Sequence, residues 1–213
     1  TGNSGLRGGG IYTNGSSLSL TDSRINAGSA GNEGGGIFAA SGTVSLLRSS
    51  ISGGSASSTG GGLYVDAASV TVRQSTLASN TASSTGGGFA MNGPGTLTIA
   101  NSTVSGNSSN SQGAGGFSSA GTLTLINVTI ANNNALGLGG GIATNSTVNA
   151  TNTLIVGNSS ANGATANLSG TLTTNTNNLI GGSVAFGALA ANGFGTQTHA
   201  LPPGSSAINA GNA

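Results

Sequence analysis

The sequence predicts an all-β fold, a parallel β-solenoid of about seven coils with about 26 residues in each. Three observations support this prediction: a glycine-rich phrase that recurs at a nearly constant interval, a second phrase of alternating apolar residues, and a composition unsuited to helices. Gly accounts for 41 of the 213 residues, and Ser, Thr and Asn are abundant. These residues are poor helix formers, and no 3.6-residue apolar periodicity is present.

The glycine-rich phrase marks one point of each repeat. Its copies are GGGIY at 8–12, GGGIF at 34–38, GGGLY at 60–64, GGGFA at 86–90, AGGF at 114–117 and GGGIA at 139–143. The apolar residue after the glycines is expected to point inward, at Ile11, Ile37, Leu63, Phe89, Phe117 and Ile142. We expect the glycines to adopt turn conformations and to let neighbouring coils approach closely.

The second phrase is apolar-x-apolar, then four residues, then another apolar residue. Its copies begin at Leu18, Val44, Val70, Leu97, Leu123 and Val148, and a weaker seventh copy runs from Leu172 to Leu179. Such alternation predicts short strands with Gly and Asn at the corners, which gives three strands per coil, two from this phrase and one after the glycines. Residues 1–160 hold six coils, and residues 161–213 are predicted to complete the same domain with the last irregular coil or coils and a C-terminal segment.

Equivalent positions of successive coils should stack in columns about 4.8 Å apart. Leu97 is expected to lie inside the solenoid and to stack on Leu123. Asn residues also recur in phase, and stacked amides can hydrogen-bond along a ladder. The two predicted structural ladders are Asn101, Asn127 and Asn152, and Asn107, Asn133 and Asn158.

The charge of the chain excludes several partners. The net charge is +1, charged residues make up 3% of the chain, and no Asp, Glu, Lys or Arg follows Arg73. Such a surface cannot hold a nucleic-acid backbone or an anionic membrane. No apolar run approaches the length of about 20 residues that a membrane span requires. The chain has no Cys, so it has no disulfide framework.

These phrases resemble those of the polymorphic outer-membrane proteins and related bacterial surface proteins with pectate-lyase-like right-handed β-helices. That family alternates a Gly-Gly-Ala-Ile type phrase with a Phe-x-x-Asn type phrase. Here Gly stands in place of the Ala, at Gly10, Gly36, Gly62 and Gly88, and aliphatic residues replace the Phe, as in Val104-x-x-Asn107. The resemblance implies a single-stranded right-handed parallel β-helix that is secreted to the bacterial cell surface or beyond.

The C-terminal stretch TQTHALPPGSSAINAG, Thr196 to Gly211, is similar to the closing segment of many secreted proteins of this type. In those relatives an acidic residue is common where Asn209 stands. The resemblance says little about function, since such helices serve as adhesins, stalks and polysaccharide enzymes alike.

The charged residues do not predict an active site or a bound cofactor. Glycoside hydrolysis needs two neighbouring carboxylates, whereas Asp22, Glu33 and Asp66 are not expected to share a column. Asp22 is in phase with Arg48, and we expect a stacked ion pair of little energetic weight. His199 has no evident acidic partner and is predicted to be structural. We therefore expect neither an enzyme, nor a metal site, nor a cofactor.

Two surfaces suggest binding functions. Ser and Thr flank the inward apolar residues, and a flat lattice of hydroxyls and methyls resembles the ice-binding faces of β-solenoid antifreeze proteins, although Thr is also simply favoured on strands. The candidate ladder is Thr43, Thr71, Thr96, Thr98, Thr122, Thr124, Thr147, Thr171 and Thr173. A second candidate is a solvent-facing aromatic patch for carbohydrates, formed by Tyr12, Phe38 and Tyr64.

The lead prediction from sequence is structural. The first glycine block arrives at Gly8, and the chain finishes in SSAINAGNA, so we expect solenoid ends without capping helices. Such ends can stack head-to-tail, and a contact of that kind does not close, so it yields a filament. The expected protein is a non-catalytic, extracellular filament subunit, or a stalk segment of an adhesin that contacts other cell-surface components. Glycosylation at Asn-x-Ser/Thr sequons is a further possibility, at Asn101, Asn107, Asn127 and Asn158.

Overall fold

The computed structural model describes residues 3–193, 195–208 and 210. Within them the chain forms four parallel seven-stranded sheets, which we name A, B, C and D, and each coil contributes one strand to each sheet in that order. The predicted all-β parallel β-solenoid of about seven coils is therefore confirmed. At a rise of about 4.8 Å per coil, the first and last coils lie roughly 30 Å apart.

The strands of each sheet follow one another at the repeat interval. Sheet A contains Ser4–Arg7, Ser29–Glu33, Ser55–Ala56, Thr81–Ala82, Ser108–Ser109, Asn134–Ala135 and Ser159–Ser160. Sheet B contains Ile11–Thr13, Ile37–Ala39, Leu63–Val65, Phe89–Met91, Gly116–Ser118, Ile142–Thr144 and Leu168–Ser169. Sheet C contains Ser17–Thr21, Thr43–Leu47, Ser69–Arg73, Thr96–Ala100, Thr122–Ile126, Thr147–Thr151 and Thr174–Thr176. Sheet D contains Arg24–Asn26, Ser50–Ser52, Thr76–Ala78, Thr103–Ser105, Thr129–Ala131, Leu154–Val156 and Leu179–Ile180.

The expectation of three strands per coil was wrong, because sheet A adds a fourth. Five of its seven strands have only two residues, and their inward positions carry small side chains such as Ala56 and Ala82, both 0% exposed. Small residues give no alternation of large apolar and polar residues. Sheet A is defined by backbone pairing between coils, and hydrophobic patterning therefore does not reveal it.

Aliphatic side chains from sheets B, C and D fill the interior of the solenoid. Leu97 pairs with Leu123 in sheet C, and Val104 pairs with Ile130 in sheet D, as the repeat phase predicts. All four are 0% exposed. Burial of each such side chain contributes about 1.5–3 kcal/mol, so a slender core without many aromatic residues is sufficient.

The glycine blocks form the tight turn between sheets A and B. Gly86 has a φ of 68°, a left-handed conformation that side chains disfavour. At Gly87, a Cβ atom would lie 2.3 Å from the carbonyl oxygen of Ser108 in the next coil. In this coil the block therefore needs Gly for two different reasons, a positive φ at its first position and the close approach of backbones at its second.

The register of sheet B corrects one sequence assignment. Phe89 pairs with Gly116, and Phe117 pairs with the next residue, Ala90, so Gly116 occupies the inward position that Phe117 was expected to take. A Cβ at Gly116 would lie 2.0 Å from the tip of the Phe89 ring. The Phe89 ring thus fills the space that a side chain at Gly116 would need. The large side chain of one coil compensates for the missing side chain of the next.

The seventh coil is also shifted by one residue from the sequence prediction. Thr174 pairs with Asn149, and Ile180 pairs with Ile155, so the copy assigned to Leu172–Leu179 begins one residue later. In this register Ile180 packs against the core. A 3₁₀ turn at Gly163–Thr165 lies within this coil, between its strands in sheets A and B, with Asn162 as its N-cap.

The described residues that follow the seventh coil add no further coil. The strap, which we define as residues 183–193 and 195–208, folds back along the outer face of sheet D and includes the antiparallel strands Leu189–Ala191 and Gln197–His199. Thr76 Oγ1 donates to the Gln197 carbonyl at 2.8 Å and accepts from the Gln197 N–H at 3.1 Å. Thr76 is consequently only 2% exposed, although it points away from the core. Asn209, in the stretch that resembles the closing segments of secreted β-helix proteins, lies outside the described residues.

Candidate functional surfaces

The outer face of sheet C carries two columns of small polar residues, which we call the hydroxyl face. The first column is Ser17, Thr43, Ser69, Thr96, Thr122 and Thr147, and the second is Ser19, Ser45, Thr71, Thr98, Thr124 and Asn149. Residues two apart on one strand are about 6.7 Å apart, and neighbouring coils are about 4.8 Å apart. The Ser, Thr and Asn positions of the two columns are thus in register over the first six coils.

The seventh coil does not extend the hydroxyl face as the sequence suggested. Because the register is shifted, Thr174 rather than Thr173 follows Asn149, and Thr171 and Thr173 leave the two columns. Thr173 instead faces Val148, where its N–H donates to the Val148 carbonyl at 2.7 Å and its Oγ1 accepts from the Val148 N–H at 3.3 Å. Hydroxyls within the face also bond to one another, as Thr43 Oγ1 does to Ser17 Oγ at 2.9 Å.

The first Asn column, in which Asn101 and Asn127 are exposed and Asn152 is partly buried, lies at the corner between sheets C and D. Asn101, Asn127 and Asn152 have φ values of 48°, 53° and 51°, and Asn tolerates this left-handed conformation better than most residues. The same corner holds Asp22 and Arg48 in the first two coils, also with positive φ. Asn127 Nδ2 donates to Asn101 Oδ1 at 3.0 Å. The main role of Asn in this column is therefore to adopt the left-handed turn, and the hydrogen bond between side-chain amides is secondary.

The second Asn column is buried, and it forms a continuous ladder between sheets D and A. Asn107 Nδ2 donates to Asn133 Oδ1 at 2.9 Å, and Asn133 Nδ2 donates to Asn158 Oδ1 at 2.9 Å. Asn80 extends the ladder on one side and Asn167 on the other. Asn107 and Asn158, 1% and 7% exposed, also belong to two of the sequons, so their amides are closed to glycan transfer in the folded chain.

The aromatic column is a stack of rings outside the main core. Tyr12 and Phe38 stack at 5.4 Å between centroids, and Phe38 and Tyr64 stack at 4.9 Å. The expected solvent-facing patch is not present, because Phe38 is 2% and Tyr64 9% exposed, while Tyr12 is 51% exposed. Arg7 covers the Phe38 ring at 5.3 Å. After Ala90 the column resumes at Phe117, which was expected to point inward.

The environment of Tyr64 disfavours its ionised form. Burial raises the pKa of the Tyr64 phenol above its usual value of 10.0, and the charges of Glu33 and Asp66 raise it further. A hydrogen bond with Asn92 and the charge of Arg7 act in the opposite direction with less effect. The phenol therefore stays protonated, and it acts as a packing group whose hydroxyl is hydrogen-bonded.

The acidic residues are engaged in ion pairs or stand apart from one another. Arg48 Nε and Nη2 donate to the two carboxylate oxygens of Asp22 at 2.7 and 2.8 Å, so the predicted stacked pair is confirmed, and its hydrogen bond holds the pKa of Asp22 below its usual value. Arg7 pairs with Glu33 at 2.9 Å. No group of three or more His, Cys, Asp or Glu side chains that could hold a metal ion occurs among the described residues.

His199 is a bridge between the strap and the solenoid. Its Nδ1 lies 2.7 Å from the Gly187 carbonyl oxygen, and its Nε2 lies 2.9 Å from Ser105 Oγ. The ring of Phe186 meets it edge-on at 5.0 Å. The first contact requires an N–H at Nδ1, which leaves Nε2 to accept from the Ser105 hydroxyl in the neutral ring. These contacts agree with the structural role that the sequence predicts.

The strap is the feature that sequence reasoning missed. It carries neither the glycine phrase nor the apolar phrase, and its positions opposite Thr76 and Ser105 are more than 90 residues away in the chain.

Within the described residues no helix has the length and apolar character to cross a membrane. Comparisons with protein-family models, with curated proteins and with solved structures find no match for this chain.

Proposed function

We propose that this solenoid is a non-catalytic structural module of the bacterial cell exterior, either the subunit of a head-to-tail filament or a stalk segment of a surface adhesin. The observation that carries the proposal is the geometry of the first and last described coils. All four sheets run through the rod in parallel, and the strands of these two coils pair on one side only. Each can therefore pair through its backbone donors and acceptors with a further coil, whether of the same polypeptide or of a second copy.

The apolar interior is also accessible at both of these coils. Leu18, Leu20 and Ile25 in the first coil are partly exposed, whereas their counterparts in the middle coils are buried. Leu168 and Ile180 are partly exposed in the seventh coil. Stacking one such end on the other would bury these side chains and extend four ladders at once. The resemblance to bacterial surface proteins supports the extracellular setting.

Electron microscopy and sedimentation of the purified chain test the filament. Two variants would place a charge in the stacking surface, Leu20→Lys in the first coil and Ile180→Lys in the seventh. Each should prevent growth, since a buried unpaired ammonium is costly. Ser19→Lys is the matched control, because Ser19 lies on the same strand as Leu20 but points outward. If the unmodified chain stays monomeric at every concentration, the filament is contradicted and the stalk segment is the part of the proposal that stands.

Ice binding is the second candidate, and the hydroxyl face is the observation that favours it. Seven of its twelve positions are Thr, and they stay in register over six coils. Thermal hysteresis of the solution should then be measurable, and Thr98→Tyr together with Thr124→Tyr should abolish it. The pair Ser55→Tyr and Thr81→Tyr on sheet A is the control, since both residues are exposed on another face. A freezing point equal to the melting point in the unmodified protein would reject this function.

The buried state of Phe38 and Tyr64 argues against a carbohydrate platform on the aromatic column. A stacking platform needs an open ring face, and these two rings use their faces on each other.

A further inference from the structure

Two adjoining grooves lie between the strap and the first three coils of sheet D. Their cavity volumes are about 260 Å³ and about 150 Å³. Arg24, Ser50, Gly195 and Thr196 line both, so we treat them as one site, the Arg24 groove. The solenoid supplies a rigid floor of outward side chains, and the strap supplies the opposite wall. The site therefore exists only because the strap folds back as far as the first coil.

The Arg24 groove carries an uncompensated positive charge. Arg24 is exposed, and no acidic side chain of the described residues lies within ion-pair distance of it. Asp22 is the acid that lines the smaller groove, and both of its carboxylate oxygens already accept from Arg48. The three charged side chains together leave one net positive charge in the groove. This favours an anionic ligand.

Hydrogen-bond donors surround this charge. The guanidinium of Arg24 offers five N–H groups in a planar fork that suits a carboxylate. Asn26 accepts from Ser52 Oγ at 2.8 Å through its amide oxygen, which leaves the NH₂ group of Asn26 available. The hydroxyl of Ser50, which lies beside Arg24 across the sheet, makes no hydrogen bond with any described residue. These neutral groups are placed to bind ligand hydroxyls.

The size of the groove limits what can enter it. Drug-sized ligands occupy pockets of about 300–1,000 Å³, and the larger part of the Arg24 groove has about 260 Å³. The space is large enough for a single sugar-sized ring with short substituents, and it is too small to enclose an oligosaccharide chain. We propose that the Arg24 groove binds a one-ring hydroxylated carboxylate, such as a terminal acidic sugar, with Arg24 on the carboxylate and with Asn26 and Ser50 on hydroxyls. This proposal is independent of the end-to-end stacking proposed above.

The test is a titration of the full chain with sodium glucuronate, followed by calorimetry and by amide chemical shifts. Binding should shift the amide signals of Ser50, Ser52 and Thr76. Arg24→Gln should weaken the affinity at least about tenfold, because a hydrogen-bonded charge pair is lost. Arg73→Gln is the matched control, since Arg73 is also exposed and unpaired among the described residues but lies on sheet C. It should leave the affinity unchanged.

The other ligands in the titration separate the parts of the proposal. Glucose, which lacks the carboxylate, should bind far more weakly, and equal binding would overturn the role of the charge. Sodium sulfate should also bind more weakly, and equal binding would overturn the role of the ring hydroxyls. No glucuronate binding, or binding that Arg24→Gln leaves intact, overturns the site itself. Because Arg24 is exposed, thermal unfolding should show the Arg24→Gln variant to be folded.

Discussion

At Asn107 a single side chain connects three coils. Its Nδ2 donates to the Leu77 carbonyl at 3.1 Å and to Asn133 Oδ1 at 2.9 Å, and its Oδ1 accepts from the Asn80 N–H at 2.9 Å. Every one of these groups is buried, so each would lack a water partner if Asn107 were replaced. The ladder turns a polar residue into a core residue, and this explains how a chain so rich in Asn can still bury a continuous interior.

Asn107→Ala should therefore destabilise the protein by about 2–4 kcal/mol, because it leaves buried donors and acceptors unpaired. Urea unfolding followed by circular dichroism measures this loss. Asn110→Ala is the control, since Asn110 is exposed, and it should change the unfolding free energy by less than about 0.5 kcal/mol. Equal effects of the two variants would show that the ladder adds nothing to stability.

Phe89 and Gly116 form a second residue-scale unit, a large and a small residue on neighbouring coils. Gly116→Ala should cost about 1–3 kcal/mol through overpacking against the Phe89 ring. In a Phe89→Leu background the same substitution should cost much less, since the shorter side chain leaves room for the methyl group. A double-mutant cycle of unfolding free energies gives the coupling. Additive effects would mean that the two side chains do not compete for this space.

At the scale of the element, repeat phase predicts the ladders that carry large inward residues. Leu97 over Leu123 could be expected from the spacing alone, because period-two alternation fixes which side chains face the core. Sheet A could not be expected, since Ala56 and Ala82 give no such alternation. Phe117 was misplaced because the inward residue of that coil is Gly116, which cannot be distinguished in the sequence from the glycines of the block. The strap was missed because its contacts are not periodic.

The aromatic column makes a prediction for alkaline solution. The folded-state pKa of Tyr64 is raised above its usual value of 10.0, so the folded state holds this proton more tightly than the unfolded state does. The resulting stability is fully present below pH 10 and is lost as the pH rises through the raised pKa. A titration of phenolate absorbance should show one transition above the usual range. Tyr64→Phe should remove that transition and reduce the loss of stability at high pH.

If Tyr64→Phe leaves the alkaline loss of stability unchanged, ionisation of the Tyr64 phenol is not its cause. The variant keeps the ring that stacks on Phe38, so any general weakening of the column should be small.

At the scale of the whole molecule, each coil contacts only its neighbours, and stability should depend on the position of a coil in the rod. Leu18 and Leu97 provide a matched pair, since they occupy the same inward column of sheet C in the first and fourth coils. Leu97 is 0% exposed, whereas Leu18 is only partly buried. The two sites therefore share their chemistry and differ in how many coils depend on them.

Leu97→Ala should lower the global unfolding free energy by about 2–5 kcal/mol, the usual cost of a cavity in a packed core. Leu18→Ala should cost less and act locally, because one ladder neighbour supports the first coil where two support the fourth. Native-state hydrogen exchange separates the two cases: Leu18→Ala should accelerate exchange in the first coil alone, whereas Leu97→Ala should accelerate it on both sides of the fourth. Equal and uniform acceleration by both variants would indicate one fully cooperative unit, in which stacked coils are not the source of stability.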